Sequence, residues 1–182
     1  MKFCLDPGHG GFDPGAVGVN GCHEKNINLT VCLNLAAKLK KAGIKAVLTR
    51  EVDSTVSLAE RVHIANEAGC DFFLSLHCNS ALNREAHGTE TCCYKLGHKG
   101  EQLAKAIQGA LVDSLQSKDR GAKQANFYVL RNTKMPAALV ELGFLSNHDE
   151  ADLLITGDYQ AKCVQGIQKG IRQFLKAISE AH

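Results

Sequence analysis

Apolar residues along the chain follow two alternating rhythms. KFCL at the start, IKAVLTR after Gly43, DFFLSLH around residue 75 and AALVELG around residue 140 are short apolar runs with the length of strands. The last two are nearly continuous, which suits strands buried on both faces of a sheet. GTETCCYKL and NFYVLRN read as two further strands from their β-branched and aromatic residues. Between these runs the spacing changes to three and four. Ile27, Val31, Leu35 and Leu39 share one face of a helix from about Asn26, which stops at Gly43 after Lys40 and Lys41. Ser57-Leu-Ala-Glu60 is a capping-box pattern opening a helix to about Ala68. Leu103, Ile107, Leu111 and Leu115 mark another helix, and Val164, Ile167, Ile171, Phe174 and Ile178 mark a closing one.

Strands alternating with helices predict an α/β fold: a single domain over residues 1–182, with a mostly parallel mixed sheet of about six strands and helices on both faces. One antiparallel member is expected where two strands follow each other without a helix. A length of 182 residues with 45% hydrophobic and 22% charged positions is enough for one proper core. The net charge is only +2 and the Lys and Arg residues are dispersed, so no nucleic-acid partner is expected. No apolar run has the length of a transmembrane segment. The first twenty residues carry Asp6, Asp13 and several glycines where a signal peptide is apolar, so none is expected in this chain. Eight cysteines without a CxxC pair, two of them adjacent at Cys92 and Cys93, read as reduced thiols packed as small hydrophobes.

In open α/β sheets ligands bind beyond the carboxyl ends of the strands. Asp6, His9 and Asp13 follow the first apolar run, His77 and Asn79 end the central one, Glu141 ends ALV, and Glu24 stands at the start of the first helix. Two histidines and a carboxylate on one rim make a His₂Glu set for zinc with a fourth position left for water, and Glu141 is then available as a base. Each residue also has a structural reading. His9 can hydrogen-bond its turn, Glu24 can favour a helix N-terminus, and His77 can be a satisfied core histidine, with no HExxH motif to decide. Glu141 is the harder one to explain that way, because a carboxylate inside ALVELGF is buried and needs a partner or a purpose.

Five segments in order, DPGHGGFDPGAVG, EKNIN, SLHCN, HGTETCCY and LVELGFLSN, resemble the zinc N-acetylmuramoyl-L-alanine amidases of the Amidase_3 type. The similarity covers nearly the whole chain. It implies one Zn²⁺ held by His9, Glu24 and His77, and Glu141 as the catalytic carboxylate. It further implies a peptidoglycan substrate, cut by a zinc-activated water at the amide between N-acetylmuramic acid and L-alanine. His23 beside Glu24 is a competing ligand, and Cys78 and Cys92–Cys93 depart from the family pattern. Asn79 and Glu90 lie near the rim and are candidate substrate contacts, whereas Arg50, Arg61 and Asn66 read as structural. Two rival readings are a cysteine-dependent wall peptidase or amidase using Cys78 or Cys22, and a non-catalytic wall-binding module with a structural zinc. The resemblance places the activity at the bacterial cell wall, as a phage lysin, a sporulation enzyme or an excised catalytic domain.

Overall fold

The computed structural model describes residues 1–180. They form a single α/β domain around one six-stranded sheet: β1 (Lys2–Pro7), β2 (Lys45–Leu48), β3 (Phe72–Asn79), β4 (Thr89–Cys93), β5 (Asp119–Gln124) and β6 (Ala137–Phe144). The strand order is β2-β1-β3-β6-β4-β5. The first four run parallel, β4 meets β6 antiparallel, and β5 runs parallel to β4. No helix separates β3 from β4, and without a crossover the chain has to reverse direction. The expected antiparallel member is therefore present.

Six helices accompany the sheet: α1 (Glu24–Lys41), α2 (Leu58–Glu67), α3 (Lys99–Leu115), α4 (Tyr128–Asn132), α5 (His148–Leu154) and α6 (Gly157–Glu180). The two faces are covered unequally. Phe3, Leu5, Leu74, Leu76, Val140 and Leu142 pack under the long helices α1, α3 and α6. The alternate residues Cys4, Phe73 and Leu139 pack under α2 and α4, which have only 10 and 5 residues. Strand side chains alternate between faces, so Ser75, His77 and Glu141 belong to this thinly covered side. Polar groups there remain within reach of a ligand.

The capping box at Ser57 is complete, with Glu60 N donating to Ser57 Oγ and Ser57 N donating to Glu60 Oε2. One strand expectation fails. NFYVLRN is not a strand but holds the short helix α4, with Arg131 N bonded to Phe127 O and Thr133 N to Val129 O. The consecutive residues Val129 and Leu130 are both buried between outward-facing Tyr128 and Arg131. A strand cannot bury two neighbours on one face; one helical turn can. The sixth strand is instead DRGAKQ, whose polar composition suits an exposed sheet edge and conceals it from a hydrophobic-period reading. Among the described residues, no helix is long and apolar enough to cross a membrane. All eight cysteines are free thiols.

Candidate active site

The loop after β1 carries His9 in a left-handed backbone conformation, φ 60°. Such a conformation is uncommon for a residue with a side chain and persists where its surroundings hold it. Two buried arginines supply that hold. Arg61 donates to Asp6 Oδ1 (2.6 Å), Pro7 O (2.7 Å) and His9 O (2.7 Å), and Arg50 donates to Pro7 O (3.0 Å), Gly8 O (3.1 Å) and Lys25 O (2.8 Å). Asp6 also accepts from Thr49 and Ser75 hydroxyls. Sequence reasoning set both arginines aside as structural, and they are the clamp that shapes the loop.

Within this frame Asp13 Oδ2 faces His9 Nδ1 at 2.7 Å, which orients the ring and turns Nε2 inward, 3.3 Å from Glu24 Oε1. His77 Nδ1 lies 2.9 Å from the same oxygen. Glu24 is the first residue of α1, and His23 before it is exposed, so the helix start presents the glutamate and not the histidine. The Glu24 carboxylate also accepts from Ala16 N (2.8 Å), Cys78 N (3.0 Å) and Asn28 Nδ2 (3.3 Å). Burial opposes its charge, but hydrogen bonds with His77 and His9 outweigh that and keep it well below the usual carboxylate range. Its hydrogen bond raises His9 to about 9. One donor atom from each of His9, Glu24 and His77 lies within 4.8 Å of the others. Two imidazole nitrogens and one carboxylate oxygen so disposed are a donor set that fits a divalent metal such as zinc.

Glu141 is the register partner of His77 across β3–β6 and of Glu90 across β6–β4. All three lie on the thin face. Its Oε2 is buried without a hydrogen-bond partner, the one such side-chain atom among the described residues. Burial pushes its carboxyl up to about 7. His9, Glu24, His77, Asn79, Tyr128 and Glu141 all line one cavity of about 390 Å³. Asn79 Nδ2 donates to Glu90 Oε1 at 3.1 Å. Sequence reasoning did not single out Glu150, whose buried carboxylate accepts from Gly88 N (2.8 Å) and Phe144 N (2.7 Å) and so ties β4 to the end of β6. The signal in the sequence was the Asn147-His-Asp-Glu150 spacing, which marks a helix start with a glutamate at its third position.

Gly8 is required by close approach: a Cβ there would overlap Cε1 and Nε2 of His77. Gly8→Ala is therefore expected to displace His77 by about an ångström and lower turnover on the order of a hundredfold. Zinc titration of the variant should show weaker binding; unchanged affinity and rate would mean that the ring has room to move.

Residues 3–173 match the family model described as N-acetylmuramoyl-L-alanine amidase. The chain belongs to that family. It is 44% identical over 173 residues to the uncharacterized protein YqiI of Bacillus subtilis, covering 93% of this chain and 82% of that one. It is 40% identical to the B. subtilis N-acetylmuramoyl-L-alanine amidase LytC, covering 91% of this chain but only 34% of LytC. Among solved structures, the catalytic domain of the amidase CwlV from Bacillus (Paenibacillus) polymyxa var. colistinus superposes with a TM-score of 0.92 at 35% identity, over 96% of this chain and 98% of that one. As a member of this amidase family the chain is an enzyme, with the peptidoglycan amidase activity of the family.

Proposed function

We propose that the chain hydrolyses the amide between the lactyl group of N-acetylmuramic acid and L-alanine, using one zinc ion held by His9, Glu24 and His77, with Glu141 as the proton-transferring residue. The observation that carries this reading is the unpartnered Glu141 Oε2, buried in the same cavity as three convergent metal-type donors. A bound zinc supplies Lewis acidity at that point, polarising a carbonyl and acidifying water. The protein's own residues do the rest. Asp13 holds His9 by Nδ1, and the three N–H donors around Glu24 fix the carboxylate between the two rings. Glu141, with a pKa near neutrality, takes a proton at Oε2 from the attacking water and returns it to the leaving amine of L-alanine. Asn79 contacts the substrate at the cavity wall.

The thiol reading finds no thiolate. Cys78 follows His77 in β3, so its side chain turns into the core on the opposite face, with Sγ 3.7 Å from Asn28 Oδ1, and burial pushes the thiol far above its usual range. Burial raises Cys22 as well. Family membership places the chain among enzymes and leaves the wall-binding module without support. The proposed site of action is the bacterial cell wall.

The test is digestion of purified peptidoglycan with native, chelated and zinc-restored protein, read by mass spectrometry. New L-alanine amino termini on intact glycan strands, lost on chelation and regained with zinc, are expected. Activity that survives chelation and is lost to thiol alkylation would sink the zinc reading.

A further inference from the structure

Glu90 faces the substrate side of the sheet, yet its carboxylate is already engaged. Oε1 accepts from Asn79, and Oε2 accepts from both Arg120 Nε (3.0 Å) and Lys123 Nζ (2.7 Å). Burial works against the charge on Glu90, but Lys123 and Arg120 outweigh it and keep the group ionised. One carboxylate thus gathers two cations, leaving a local excess of positive charge. The other acid of β5, Asp119, is turned the opposite way and accepts from Gln108 of α3. Arg120 is fixed further by its guanidinium over the Phe144 ring, 4.8 Å from the centroid, and both cationic side chains remain partly open, at 28% and 44%. From Glu141 through its register partner Glu90 to β5 is two strand spacings, roughly 10 Å. An extended peptide covers that distance in about three residues.

We propose that Arg120 and Lys123 form a carboxylate-binding subsite that recognises an acidic group of the stem peptide two to three residues beyond the cleaved bond, with Glu90 as the positioning residue that holds the pair. This rests on the amidase reading of the adjacent site. Glu90 is then not itself a substrate contact, because an acidic group approaching it would meet like charge, whereas the two cations beside it offer charge-assisted hydrogen bonds. Asn79 links the cavity to the subsite, lining the first and bonding Glu90 in the second.

The experiment compares two soluble muropeptides that differ only in whether the acidic group at that distance is a free carboxylate or its carboxamide, cut by zinc-loaded wild type, Arg120→Gln, Arg120→Lys and Lys123→Gln. A charge-assisted contact is worth about ten- to a hundredfold. Wild type is expected to favour the carboxylate by that factor in kcat/KM, mainly through KM. Arg120→Gln and Lys123→Gln should each collapse the preference, and Arg120→Lys should restore part of it. A wild-type enzyme that cuts both substrates equally well would overturn the subsite, as would variants that lower both rates by one common factor, since a merely structural arginine would do that. Wild type that opens neither muropeptide at the muramoyl amide would strike instead at the amidase reading beneath it.

Discussion

Glu141→Gln is expected to bind zinc like the native protein and to lose about a thousandfold in turnover, within the range that a positioned proton-transfer group supplies. Glutamine keeps the shape and polarity of the side chain but cannot accept and return a proton. The same substitution should make the metal-free protein more stable. The Glu141 carboxyl is raised from 4.5 to about 7 by burial, so folding favours its neutral form. The stability tied to that neutral form is complete below pH 4.5 and is lost as pH rises through about 7. Above it the folded protein carries a buried charge whose cost is on the order of 3 kcal/mol. Glutamine carries no such charge. Thermal melts of chelated protein at pH 8.5 should therefore rise by several degrees in the variant, and the gain should shrink toward pH 5. Near-normal turnover would remove Glu141 from the mechanism. Equal melting at both pH values would show that its charge is solvated.

Why the site lies where it does follows from the unequal cover of the sheet. The long helices α1, α3 and α6 seal one face completely, and the residues that β1, β3 and β6 send there are apolar. On the other face α2 and α4 leave the carboxyl ends open, and the same strands send Asp6, Ser75, His77 and Glu141 toward it. A buried carboxylate without a partner is a standing destabilisation, which the sealed face offsets.

The parts of this design that were legible in the sequence are those with a strong local signal. β3 and β6 are buried on both faces and so are nearly continuous apolar runs. α1 and α6 show the spacing of a helix with one buried side. β5 and α4 were misread because the cue and the element part company there. An edge strand of Asp, Arg, Gly and Lys has no apolar period, and FYVL looks like a strand although its apolar pair Val129–Leu130 fits a single helical turn. In the site, the convergence of His9, Glu24, His77 and Glu141 on one cavity was legible because His9 follows β1, Glu24 starts α1, and His77 and Glu141 interrupt the apolar runs of β3 and β6 within recognisable segments. Arg50 and Arg61 were legible as structural, but the clamp they form was not. Together they act through the carbonyls of Pro7, Gly8 and His9, more than forty positions away in sequence, and no local pattern encodes that. Arg120 and Lys123 were hidden for the same reason: their meaning depends on Glu90, thirty and thirty-three residues earlier.

Removing each proposed metal ligand in turn should give one result for activity and two for stability. His9→Ala, His77→Ala and Glu24→Ala are all expected to lose zinc and at least a thousandfold in turnover. In chelated protein they should diverge. His9 is partly open at 27% and its partner Asp13 is 59% exposed, so that pair is screened and worth about 1 kcal/mol or less. Truncation also removes one imidazole from buried Glu24, which keeps His77 and the N–H groups of Ala16 and Cys78. Glu24 is buried, and its loss strands the N–H groups of Ala16 and Cys78 and leaves two imidazoles without their shared acceptor. Breaking a buried pair by removing one partner costs about 3–5 kcal/mol. The direction with pH follows from the depressed Glu24 carboxyl. Its contribution is present above the unfolded value of 4.5 and is lost as pH falls through the lower folded value. The deficit of Glu24→Ala should thus be full at pH 7 and should narrow in acid, while that of His9→Ala, which leaves Glu24 its other partners, should be the smaller of the two at pH 7. Denaturant unfolding of the chelated proteins at pH 7 and near pH 3, inside the window between the unfolded and folded values, would resolve this. If Glu24→Ala were as stable as His9→Ala at pH 7, the carboxylate would serve the metal alone; a full deficit would make it the joint between loop, helix and central strand as well.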